Sequence, residues 1–322
     1  MHNMLALLIL ALLSCQSSEK EDVKSTTHKT AGTIHAERLL DSSLIIRELK
    51  FLASDTCEGR KPGSVGHENA AQRILQDFRK AKIDSFDHSQ VQLFEATSID
   101  GVTGGKNIVG LVKGSKYVDS FIVITAHYDH LGKKKDGSTY YGADDNASGA
   151  ACLLALAKYF SKTPMPHSLV FVAFDREETG LEGAKYFVEH LPEGITKGNI
   201  KLNLNLDMVA RSDKNEIYAC GLKHYPALGY AVEAVQSKTT VNLLSGHDFG
   251  SFHEDWTTQS DHYAFYKAAI PFLYIGVEDH EDYHRTSDTF DKINYSSYIE
   301  NCNMIAMLVK ALATDNANQP LQ

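Results

Sequence analysis

The stretch "LVFVAFDREETG", Leu169 to Gly180, sets the architecture of this chain. Its apolar half, Leu169–Phe174, has no alternation of apolar and polar residues. It reads as a strand covered on both faces, the pattern of a parallel sheet sandwiched between helices. In such sheets ligands collect beyond the carboxyl ends of the strands. This strand ends in Asp175, Glu177 and Glu178. Neighbouring side chains on an extended chain point apart, so the adjacent glutamates can serve two tasks. Acids in the first turn of a helix are the plainer explanation, and the rest of the chain decides between them.

Working outward, helix-spaced apolar residues lie in Ile34–Ala53 and Asn69–Ala81. Strand-like runs follow at Val91–Phe94, Asn107–Val112 and Phe121–Ala126. A helix over Ala147–Phe160 precedes Leu169–Phe174, and one near Leu181–His190 follows it. Leu202–Leu206 and "EIYACG" read as strands, Tyr225–Val235 as a helix, Pro271–Val277 as the last strand and Tyr295–Ala313 as a closing helix. Alternating strands and helices predict an α/β fold with a largely parallel central sheet. No internal repeat or linker interrupts residues 34–322, which read as one domain.

The 322 residues are 43% hydrophobic with a net charge of -9. An acidic chain without a long basic run is a poor match for nucleic acid. Residues 1–14 are read as a signal peptide, whose apolar core Met4–Leu13 is too short to span a bilayer. The ending "LLSC" resembles a bacterial lipoprotein signal, although no Lys or Arg precedes the apolar run. Lipidation of Cys15 would then anchor the exported protein, periplasmic or cell-surface, to a membrane. Residues 15–33 are polar and read as a flexible tether. Cys57, Cys152, Cys220 and Cys302 are scattered and are expected to be mostly free, buried thiols.

Several strands carry chemistry at their ends. His127, Asp129 and His130 follow Phe121–Ala126; Asp175, Glu177 and Glu178 follow Leu169–Phe174; Asp207 follows Leu202–Leu206; and His284 lies beyond Pro271–Val277. The loop "YGADDNASGA" adds Asp144 and Asp145. So many carboxylates on one edge repel unless a cation neutralises them. His with Asp and Glu, and no Cys, suits zinc, and the supply suits a pair of metals about 3.5–4 Å apart. "GVTGGKN" lacks the spacing of a phosphate-binding loop, which favours amide over nucleotide chemistry.

"AHYDHLG", "GADDNASG", "FDREETGLEGA", "LNLDM" and "YHRTSDT", in this order, resemble the M28 family of zinc exopeptidases. "LASDTCEGRKPGSVGHENAA" and "SDHYAFYKAAIPFLYI" extend the resemblance over almost everything after residue 45. It implies a three-layer α/β/α sandwich with a mixed sheet and two Zn2+ per chain. It places His127 and Asp207 on one zinc, Glu178 and His284 on the other, and Asp145 between them. Glu177 would be the general base, and Asp129 would stand behind His127 and fix its tautomer. The Asp145–Asn146 peptide bond would be cis. Asp175 is left with a turn or capping role.

The stretch "GHDFGSFHEDWTTQSDH" offers Trp256 and Thr257 where relatives offer a Tyr, so the metals alone are expected to stabilise the transition state. His262 reads as structural, and His247, His253 and His280 as loop residues. The implied function is a dizinc aminopeptidase, an activated water hydrolysing the first peptide bond of extracytoplasmic peptides with a free N-terminus. Alternatives are a carboxypeptidase or dipeptidase on the same scaffold, glutaminyl cyclisation with one zinc, and a binding module with a dead site.

Overall fold

The computed structural model describes residues 38–314 except 100, 213, 252 and 253; the signal, the tether, Cys15 and His253 lie outside the described residues. The compact unit runs from Ile34 to Gln322. Its strands are β1 (Val91–Ile99), β2 (Val102–Val112), β3 (Tyr117–His127), β4 (Gly132–Lys133), β5 (Thr139–Tyr140), β6 (His167–Phe174), β7 (Ile200–Leu206), β8 (Glu216–Cys220), β9 (Asn242–Ser245) and β10 (Phe272–Gly276). The helices are α1 (Ser42–Leu52), α2 (Val65–Lys80), α3 (Gly149–Phe160), α4 (Glu182–Glu189), α5 (Gly229–Gln236), α6 (His262–Lys267) and α7 (Tyr295–Leu312).

Eight strands form one mixed sheet in the order β1-β2-β6-β3-β7-β10-β8-β9, and β4 and β5 make a separate ribbon. The central run β6-β3-β7-β10 is parallel throughout. The antiparallel pairs are β1 with β2, β2 with β6, and β8 with β10.

Strand residues divide by parity between two cores. Ile122, Ile124, Leu169, Phe171, Leu202 and Leu204 join the larger core with α1, α2, α3, α5 and α7. Val123, Val170, Val172 and Phe174 face the other side and pack with α4 and α6. Helices therefore cover both faces, the α/β sandwich expected from β6.

Element ends are set by caps. Asp41 accepts the amide N–H groups of Ser43 and Leu44, so α1 begins at Ser42. Ser64 caps α2 by accepting the His67 N–H. Pro226–Leu228 form a tight turn that delays α5 to Gly229. All of "GVTGGKN" after Gly101 belongs to β2, paired with a β1 longer than expected. The four described cysteines named above are all buried and free.

Candidate metal centre

The parallel run brings the carboxyl ends of β3, β6, β7 and β10 to one edge. His127 is the last residue of β3, Glu177 and Glu178 lie in the turn after β6, Asp207 follows β7, and His284 lies on the loop after β10. Asp145 reaches the same edge from the segment before α3, and its bond to Asn146 is cis.

Two clusters form around Asp145. Its Oδ1 lies 3.5 Å from His127 Nε2, which is also 3.2 Å from Asp207 Oδ1. Its Oδ2 lies 3.0 Å from His284 Nε2, which is 3.3 Å from Glu178 Oε2. One carboxylate thus turns an oxygen toward each cluster. Glu177 groups with His127 and Asp207, and His130 with Asp145 and Glu178, with ligand atoms in each trio within 4.8 Å of one another.

Supporting contacts aim these groups. Both Asp129 oxygens accept backbone N–H groups, Oδ1 from Glu177 at 3.1 Å and Oδ2 from Glu178 at 3.3 Å. Asp129 Oδ1 is also 3.7 Å from His127 Nδ1. Asp129 therefore positions the turn carrying the glutamates as well as standing beside His127. Asp207 Oδ2 accepts the Ser260 hydroxyl at 2.7 Å. Ser260 in turn accepts from Asn205, whose own carbonyl oxygen accepts from Thr125 inside the sheet. Asp288 accepts the N–H groups of Asp144 and Asp145, and Asp144 accepts those of Ala210 and Arg211. These contacts lock the loop that delivers Asp145.

Asp175 does not cap a helix. Its buried carboxylate takes a 2.8 Å contact from His67 Nε2 and accepts the Lys106 N–H at 2.8 Å, tying α2 and β2 to the base of the turn. The turn-rich signature of "DREETG" concealed this long-range role.

Arg60 was invisible in the sequence as a site residue. It is fully buried and uses its whole guanidinium on backbone carbonyls: Nε to Tyr128, Nη1 to Leu52 and Tyr141, and Nη2 to Gly142 and Asp145. It fastens the loop after β3 to the loop carrying Asp145. Carbonyl partners leave no mark in a sequence, so only the loop "CEGRKPG" could have hinted at it.

Trp256 stacks on His247 with ring centroids 3.6 Å apart, and buried Thr257 engages His224 at 3.0 Å. Two phenols lie beside the clusters: the ring of Tyr283 stacks on His284 with centroids 4.0 Å apart, and the Tyr274 hydroxyl donates to the Asp207 carbonyl at 3.0 Å. Burial, then the charges of Asp145, Asp207 and Glu178, raise the pKa of Tyr283 and keep it protonated. Buried His262 contacts the Trp256 carbonyl, and burial pushes its pKa down to about 4. His280 pairs with Asp144 at 3.2 Å.

The electrostatics call for a cation. Burial alone would lower the pKa of His284, yet the carboxylates of Asp145 and Glu178 beside it push it up to about 10. At His127 the charges of Asp207 and Glu177 likewise overcome burial and raise the pKa well above its ordinary value. Asp145 Oδ2 is buried, and no contact around it has hydrogen-bond alignment. Carboxylates and imidazoles converging around such an oxygen make a donor set suited to divalent metal.

Peptidase family M28 matches residues 107–309 of the chain. Aminopeptidase YwaD of Bacillus subtilis is 31% identical over 198 residues, 59% of this chain and 40% of that protein. Uncharacterized protein YfbL of Escherichia coli is 28% identical over 223 residues, 60% of this chain and 68% of that protein. Apart from the latter, the chain spans less than half the length of the first curated relatives it matches. Among solved structures, BSAP, a zinc aminopeptidase from Bacillus subtilis, aligns with a TM-score of 0.68 at 18% identity, over 88% of this chain and 98% of that one. Porphyromonas gingivalis glutaminyl cyclase aligns with a TM-score of 0.69 at 18% identity, over 85% and 99%. At such identity these two establish the shared fold, and the family match over more than half of the residues establishes descent: the chain belongs to peptidase family M28.

Proposed function

We propose that the protein is a dizinc aminopeptidase that removes N-terminal residues from extracytoplasmic peptides. The observation that carries this reading is the Asp145 carboxylate, with Oδ1 turned to His127 and Oδ2 to His284. His127, Asp145 and Asp207 would hold one zinc, and Asp145, Glu178 and His284 the other. When bound, the pair supplies positive charge that acidifies water and polarises the scissile carbonyl.

The chain's own groups supply the remainder. Removal of water around Glu177, with the charges of Asp207, Asp261 and Glu178, raises its pKa well above the usual carboxylate range, against the pull of His127. A carboxylate whose pKa is raised toward the working pH takes a proton from water better than an ordinary one and can still return it. Glu177 accepts that proton as the hydroxyl joins the carbonyl carbon. It passes the proton to the leaving amine as the C–N bond breaks. Asp129 holds Glu177 in place through its backbone N–H. Tyr283, whose ring stacks on His284 and whose hydroxyl stays protonated, is a candidate donor to the developing oxyanion.

The substrate's ammonium is drawn by the acidic surroundings. A cavity of about 210 Å³ among the residues leading from β10 toward His284 is lined by Glu216, Glu278, Asp279 and Glu281 as well as Arg211 and Lys214. Buried Arg211 pairs with Asp282 at 2.9 Å, an aspartate shared with Lys292, and Lys214 pairs with Glu278 at 3.1 Å. Acetylating the N-terminus of an aminoacyl-anilide should therefore abolish most of its turnover. Equal turnover of free and acetylated substrate would point to another peptidase specificity. Glutaminyl cyclases share the fold, so cyclisation of an N-terminal glutamine is the control reaction and should be absent.

The "LLSC" ending supports export and anchoring through lipidated Cys15. Cys15→Ala should move the protein from membrane to soluble fractions and prevent palmitate labelling. Unchanged labelling would refute this.

A further inference from the structure

His130 belongs to neither ligand set proposed above, yet its ring has one available position. It is 1% exposed. Its backbone N–H donates to the Arg60 carbonyl at 3.1 Å, and the Tyr140 ring meets it edge-on. A Cβ built on Gly142, whose φ is +54°, would lie 2.5 Å from ring atom Cδ2. The ring so held brings Nδ1 to 2.6 Å from Glu178 Oε1. An ionised carboxylate only accepts hydrogen bonds, so Nδ1 carries the proton and donates. Oε1 is engaged, while Oε2 faces His284 at 3.3 Å. The Glu178 backbone N–H is meanwhile held by Asp129.

We propose that His130 is a positioning residue that reserves Glu178 Oε1, so that Glu178 reaches the second metal through Oε2 alone. The inference rests on the two-metal reading. Its consequence is a one-oxygen ligand with a fixed orientation, which leaves room in that metal's coordination shell. Partners that orient a metal ligand in this way typically contribute about 10–100-fold to metal affinity.

The test is zinc affinity measured by competition with a chromophoric chelator, with activity not used as the readout. The wild type, counted first, should hold two zinc ions. His130→Ala should weaken the more labile zinc about 10–100-fold. His130→Asn places an amide N–H where Nδ1 stood and should restore wild-type affinity. His130→Gln reaches toward the Nε2 position and should resemble Ala. Asn and Gln variants with equal thermal stability without metal exclude a packing effect, and they carry the comparison if the Ala variant fails to fold. Wild-type affinity in His130→Ala, or His130→Asn as weak as His130→Gln, overturns the proposal; the latter pattern would mark His130 as a ligand. A wild type holding fewer than two zinc ions would instead refute the two-metal reading, and the His130 proposal with it.

Discussion

Glu177→Gln should lower kcat by about 10²–10⁴-fold, the usual contribution of general acid–base catalysis, with KM and zinc content little changed. The amide keeps the size of the side chain and its backbone contact with Asp129 but cannot take a proton. Glu178→Gln provides the contrast. Its Oε2 lies among the proposed ligands at 3.3 Å from His284, so this variant should lose zinc, and added zinc should restore part of its activity. Zinc should do nothing for Glu177→Gln. Equal metal loss in the two variants, or near-normal kcat in Glu177→Gln, would reverse the assignment of base and ligand within the adjacent pair. The physical basis is the turn after β6, where Asp129 receives one N–H from each glutamate.

Arg60→Met should be among the most destabilising single substitutions in the molecule. It removes the guanidinium donors from the carbonyls of Leu52, Tyr128, Tyr141, Gly142 and Asp145, of which Gly142 keeps the Ala147 N–H and Tyr141 is half-buried. Unsatisfied buried groups cost about 1–3 kcal/mol each. The loss is partly offset because the guanidinium no longer has to be desolvated. A net loss of about 3 kcal/mol or more, read as a fall of at least about 6 °C in Tm, is expected. Arg60→Lys should rescue little, because an ammonium has three donors and no planar fork. A Tm within about 2 °C of wild type would show that the loops after β3 and before α3 are held without Arg60.

The sheet was legible because burial on both faces removes polar residues from a strand. β3 and β6 show this directly, while β7 keeps Asn203 and Asn205 buried through hydrogen bonds to Val123, Thr125 and Ser260, and the order of histidines and carboxylates at the strand ends indicated a shared edge. What the sequence concealed are contacts with no fixed spacing. Arg60 bonds only to carbonyls. Asp175 meets His67 across more than a hundred residues of chain. Tyr283 stands next to His284 in sequence, but its stacking on that ring depends on the loop after β10. The short α6 and β9 escaped notice because a few residues do not establish a period. The starts of α1 and α5 moved because Asp41 and Pro226 act as local caps and turns that outweigh apolar spacing.

The central claim is a pair of metals joined by Asp145. Crystals of the zinc-loaded protein, with diffraction collected on both sides of the zinc absorption edge, test it most directly. Two anomalous peaks are expected, one among His127, Asp145 and Asp207 and the other among Asp145, Glu178 and His284, with a different Asp145 oxygen on each. A single peak, or two peaks that do not share Asp145, would contradict it.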